Sequence, residues 1–253
     1  MSFLLGLLIC AAAFADFIVG GANTTRLLDA KALLFVVAGT VGAILITSPL
    51  QTLLRDLRCI TRCLGRAEKP EQTISQIVTL VQTARHGGVL SLEGKESGIE
   101  NPFIKKGIVL ITGSADRETI EDILEEDARD LSSQEKSAQE FVERIAFISP
   151  GIGMIATLVE VMQMLYTYKE PQALAAGVAG ALLPVVYSGL IAFLILFPLA
   201  SRVRAGAAGR SRSRELAIQG VLAIQSSEPP YIVEQRLMRF AKGETKQPGK
   251  DQQ

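Results

Sequence analysis

The 253-residue chain is 48% hydrophobic and 21% charged, with 26 basic and 26 acidic residues, three cysteines and a single histidine. A mean hydropathy of +0.30 excludes both an ordinary soluble domain and a bare membrane bundle, so part of the chain spans lipid and part is wet. No Gly-rich nucleotide loop after a strand, no Ser or Cys nucleophile with a partner base and no zinc spacing occurs, so neither an enzyme nor a cofactor or metal protein is expected. No nucleic-acid partner is expected either.

Four apolar segments are predicted to cross the bilayer as helices. The first, residues 3–21, contains Asp16. Its Ala13-Phe14-Ala15 imitates a cleavage site, but no Lys or Arg precedes it and Phe17-Ile18-Val19 carries the apolar run onward, which disfavours a signal peptide. The second, residues 32–50, is just long enough to span about 30 Å of hydrocarbon.

A cytoplasmic helical subdomain is expected over 51–144, completing an all-α fold. Leu53, Leu54, Leu57, Ile60 and Leu64 recur at helical spacing until Gly65 and Pro70 end that helix. Cys59 and Cys63 share one of its faces as reduced thiols. Ile74, Ile77, Val78 and Val81 mark a second helix stopped by Gly87-Gly88. A third covers 102–112. The fourth starts near Asp116 and continues unbroken toward the membrane, because no Gly or Pro interrupts residues 114–149.

The third and fourth membrane segments, 145–166 and 173–199, are joined by the short polar turn 167–172 and must run antiparallel. At the third, Ser149-Pro150-Gly151-Ile152-Gly153 removes a backbone donor and permits either a plain kink or a hinge. Thr157 and Glu160 follow inside the apolar run, where an acid must face a protein interior, a wet cavity or a partner. Pro184 interrupts the fourth segment, Pro198 lies near its end, and Ala175, Ala176, Gly177, Ala179, Gly180 and Ala181 offer a surface for tight packing in an oligomer.

A cytoplasmic C-terminal region is expected over 202–253. Residues 206–212 read as loose, 216–224 and 231–241 as short helices, and 242–253 as a polar, disordered tail. Arg55, Arg58, Arg62, Arg66 and Lys69 follow the second segment, and Arg202, Arg204, Arg210, Arg212 and Arg214 follow the fourth, whereas the opposite turns hold only Arg26, Lys31 and Lys169. The basic segments and both termini are therefore expected on the cytoplasmic side of the inner membrane.

Together these segments resemble the MotA/PomA family of flagellar stator proteins, within the MotA/TolQ/ExbB superfamily, from end to end. Pro150 to Val159 is similar to the family's signature in the third membrane helix, joined by Ala181-Leu182-Leu183, Tyr187 and Phe197-Pro198-Leu199-Ala200 in the fourth. Ala84 to Glu93 resembles the cytoplasmic motif, which Asn101 to Gly107 extends, and Glu215, Gly220, Pro229 and Leu237 fall on the tail pattern.

The resemblance implies a ring-shaped homo-pentamer around two single-helix MotB/PomB-type chains that bind peptidoglycan, conducting ions and applying torque to the rotor's torque ring. It implies that Pro150 and Pro198 couple ion binding to conformation and that Arg85 and Glu93 contact the rotor. On physics alone those two are a solvated surface pair. Asp29 falls at the periplasmic mouth of the ion path, which also takes in Thr157, Glu160, Pro184 and Tyr187. Sodium-driven relatives carry Gly-Thr and Thr-Thr pairs where this chain has Ala156-Thr157 and Pro184-Val185. Losing two hydroxyl ligands favours protons over sodium, although a carbonyl freed by Pro184 would leave sodium an option. The rival readings are an ExbB/TolQ-like energiser of an envelope machine, whose relatives have three membrane helices, and a scaffold without ion flux.

Overall fold

The computed structural model describes Gly6, Ile9 and residues 29–65, 70–94, 98–99, 101–167 and 171–242, leaving aside the side chains of 171–173, 175–176 and 242. The rest of the first apolar segment with Asp16, Arg26, Arg66, Lys69, the turn residues 168–170 and the tail from 243 onward lie outside the described residues. Among the described residues every regular element is helical. Within those residues three helical stretches are long and apolar enough to cross a membrane: Ala30–Thr47, Arg117–Thr167 and Gly177–Gln225.

Helix α1, Ala30–Thr47, starts where the Asp29 carboxylate accepts the Lys31 and Ala32 backbone N–H groups at 2.8 and 3.4 Å. Its narrow buried face repeats every four residues, through Ala32, Val36, Thr40 and Ile44. The Thr40 hydroxyl is satisfied within the helix by the Val36 carbonyl at 2.7 Å. Extended backbone at Ser48 ends α1, and α2, Leu50–Leu64, follows.

One compact unit comprises residues 63–136 and 205–253, and the other residues 1–62 and 137–204. In the first, α3 (Pro70–Gly87), α4 (Pro102–Thr112), the start of α5 (Arg117–Thr167), the end of α8 (Phe197–Gln225) and α9 (Pro230–Lys242) surround one apolar core. Ile77, Ile104, Ile108, Leu124, Leu216 and Ile224 are wholly enclosed there. Asn101 caps α4 and the following Pro102 occupies its first turn, where a missing N–H costs nothing. A methyl group added at Gly220 would come within 2.5 Å of Ile77 Cδ1, so this glycine sets how closely α8 approaches α3.

The loose stretch expected at 206–212 is instead the middle of the 29-residue α8. Ala207 and Ala208 favour helix, and Gly206 permits an approach that another residue would block: its added Cβ would lie 2.2 Å from the Cys63 carbonyl oxygen. The arginines that suggested a flexible basic linker are held on a helix. Arg214 goes inward, 7% exposed, and its two terminal nitrogens donate to Glu135 at 3.0 and 2.6 Å and to Ser132 at 3.0 Å.

In the second unit α1 packs against α7, Leu183–Leu190. The expected single fourth membrane helix is divided. Helix α6, Pro171–Ala181, ends at Leu182, where Pro184 enters the next turn, and a wide π-turn over Ile191–Leu196 separates α7 from α8. There the Phe197 N–H reaches back five residues to the Ala192 carbonyl, just before Pro198 withholds a donor of its own. By contrast α5 runs 51 residues through Pro150 without a break.

Candidate functional site

The polar groups singled out in the membrane helices converge along α1, α5 and α7. The Asp29 backbone N–H donates to the Tyr187 hydroxyl at 3.0 Å, tying the start of α1 to α7. The Asp29 carboxylate also lies within electrostatic range of Glu160 on α5. Three of the residues assigned to the ion path therefore share one end of the helix group. Glu160 is half-buried, as is Tyr187.

Ser149, Gly153 and Thr157 follow at intervals of four, so they line one face of α5. Gly153 is the point of closest approach to α7: an added Cβ would fall 1.9 Å from Ser188 Oγ and 2.7 Å from the Pro184 carbonyl oxygen. On either side of it the Ser149 and Thr157 hydroxyls are buried without a hydrogen-bond partner. Ser188, fully enclosed, donates to its own helix at Val185, 3.0 Å away.

Such orphans are costly. A buried hydroxyl without a partner costs about 1–3 kcal/mol, so two on one short seam mark a place where something polar belongs. Sequence reading found Thr157 and Pro184 but missed Ser149 and Ser188. The four-residue spacing of Ser149, Gly153 and Thr157 was the available signal, masked by the attention that Pro150 draws.

Pro150 is half-buried within α5; with no N–H of its own it leaves the Ala146 carbonyl without a helical partner. Pro198 is half-buried two residues after the π-turn. Arg85 and Glu93 are far from this seam in sequence and stand exposed at the ends of the turn that follows α3. Gly88 takes φ +74 there, the Ser91 hydroxyl donates to its carbonyl at 2.6 Å, and Leu92 is buried, which fixes the turn between the two charges. No ion pair joins Arg85 to Glu93, and both charges are exposed to solvent.

Residues 95–215 match the model of the MotA/TolQ/ExbB proton channel family. Over these residues the chain is similar to that family. It is 27% identical to chemotaxis protein PomA of Vibrio alginolyticus over 221 residues, 87% of each chain. The fold is similar to that of C. jejuni MotAB, with a TM-score of 0.88 at 20% identity over 94% of each chain. It is also similar to the flagellar MotAB stator complex from Bacillus subtilis, with a TM-score of 0.86 at 21% identity over 95% of this chain and 96% of that one. The matched region takes in the α5 seam and the whole of α7.

Proposed function

We propose that the chain is the ion-conducting, torque-transmitting subunit of a flagellar stator in the bacterial inner membrane. It crosses the membrane four times with both termini cytoplasmic, as a homo-pentamer around a MotB/PomB-type partner. The observation that carries this reading is the pair of orphaned hydroxyls, Ser149 and Thr157, flanking the Gly153 contact on a membrane helix. A conducted ion, its water or a partner carboxyl would supply the missing partners. Asp29, Tyr187 and Glu160 form the outer mouth of that path, with Thr157 and Pro184 deeper within it.

Each elementary charge falling through 100 mV releases about 2.3 kcal/mol, enough to bias a stepwise rotation. Pro150 and Pro198 are the points where the helices yield. The rigid turn carrying Arg85 and Glu93 presents the charges that engage the rotor. The driving ion is the proton, because Val185 and Pro184 supply no hydroxyl ligands beside Thr157.

Motility with the sodium gradient abolished and the proton gradient kept tests the ion: undiminished swimming is expected, and arrest would assign sodium. Single reversals Arg85→Glu and Glu93→Lys should each impair swimming while membrane insertion is unchanged. Full motility in each would remove the rotor-contact role.

A further inference from the structure

Helix α2 has a side that the ion path and the torque turn leave unexplained. Its inner side buries Asp56, Ile60 and Cys63 at 3, 7 and 3% exposure. Asp56 is held there by the Ser137 hydroxyl at 3.3 Å. An adjoining side exposes a stripe of leucines at helical spacing, Leu50, Leu54, Leu57 and Leu64, at 61, 59, 54 and 44%. The spacing that in sequence suggested a packed cytoplasmic helix thus resolves into two faces, of which only Ile60 and its neighbours pack.

At 3.6 residues per turn, Arg55, Arg58 and Arg62 fall in a second row directly beside the leucine stripe, and all three are exposed. An apolar stripe flanked by arginines suits neither water nor a bilayer interior. It suits the boundary between them. The chain delivers α2 to that boundary, since α1 is long and apolar enough to span and ends at Thr47, three residues before α2 begins. A fourth cation stands at the same junction: the Arg144 guanidinium donates to the Ser48 hydroxyl at 3.5 Å, one residue before the apolar run of α5.

We propose that α2 is an anionic-lipid-binding interfacial helix. Its leucine stripe enters the acyl region of the leaflet in which α1 ends, and Arg55, Arg58 and Arg62, with Arg144, bind anionic phospholipid headgroups. Charge complementarity and continuity with α1 favour this occupant over a second copy of the chain. The inference needs α1 to cross the membrane but does not need the protein to turn a rotor.

The absence of tryptophan from the sequence provides the test. Leu57→Trp and, separately, Leu34→Trp on the exposed side of α1 each give the full-length chain one fluorophore. The chains are reconstituted in phosphatidylcholine vesicles containing brominated phosphatidylglycerol or brominated phosphatidylcholine as quencher. Both positions should be quenched. At Leu57→Trp the anionic quencher should be preferred about fivefold for each arginine engaged, and adding Arg55→Gln, Arg58→Gln and Arg62→Gln should bring the preference close to unity.

Quenching at Leu34→Trp without quenching at Leu57→Trp would overturn the proposal and place water or another subunit on the leucine stripe. Equal quenching by the two lipids, or a preference that survives the triple substitution, would overturn the arginine–headgroup contact. No quenching at either position would remove the premise that α1 spans.

Discussion

Helix α5 buries polar side chains at two levels, and it treats them in opposite ways. At Ser132 and Glu135 it meets Arg214, and a bidentate ion pair with both partners less than a tenth exposed satisfies the carboxylate. Further along, Ser149 and Thr157 are as deeply buried and have no partner at all. A paired buried charge fixes α8 against α5 in one arrangement. An orphaned hydroxyl stabilises nothing and leaves a hydrogen-bonding group open to a polar ligand.

The strongest way to break that contrast is to remove one partner of the ion pair. Arg214→Ala or Glu135→Ala should destabilise the unit by about 3–5 kcal/mol, while the double change to Met and Leu should restore most of the loss. Denaturation or amide exchange of each variant measures it. If the single and double changes cost the same, the pair is not what holds these helices together.

Gly153→Ala comes next. With Ser188 Oγ and the Pro184 carbonyl already in its place, the added methyl should cost about 1–3 kcal/mol and abolish ion flux in vesicles containing the partner chain. Ser188→Ala should not rescue it, because the Ser188 Cβ is itself only 2.5 Å away. Asp29→Ala removes the cap on α1 and should cost about 1 kcal/mol, whereas Asp29→Asn keeps the cap and removes only the charge. Loss of flux in both variants identifies a charge requirement, and loss in the alanine variant alone identifies a capping role.

Thr157→Val sharpens the comparison directly. Deleting an unpartnered hydroxyl at constant shape should leave stability unchanged or raise it by up to about 1 kcal/mol, while conduction falls. A loss of stability would show that Thr157 has a structural partner.

The smallest effect is expected at Asp116, just before α5. A hydrogen bond from the Thr119 side chain holds this carboxyl below its usual range. Its contribution is therefore complete above the unfolded-state value and is lost as pH falls through the lower folded-state value. Thr119→Ala should remove that small contribution at neutral pH and leave stability unchanged once the carboxyl is protonated, so the acid limb of the stability curve flattens.

Much of this was legible in the sequence because it rests on local rules. The absence of Gly and Pro from 114–149 foretold an unbroken α5, Gly87-Gly88 the end of α3, and Asn101-Pro102 the start of α4. What escaped depends on neighbours distant in the chain. Gly206 looked like a breaker because its contact with Cys63 cannot be read locally, and the π-turn at 191–196 has no signature beyond the following Pro198. At the site, Thr157, Pro184, Tyr187, Asp29 and Glu160 were assigned together to an ion path through the resemblance, and their placement along α1, α5 and α7 came with the fold. Ser149 needed its burial to be noticed.

The continuity of α5 has one more mechanical result. Between Glu135 and Thr157 α5 has no loop, so any change in its direction there must be taken up as bending of the helix. Bending is easiest at the turn between Ala146 and Pro150, where one backbone bond is already missing. α5 is therefore least stiff over that one turn.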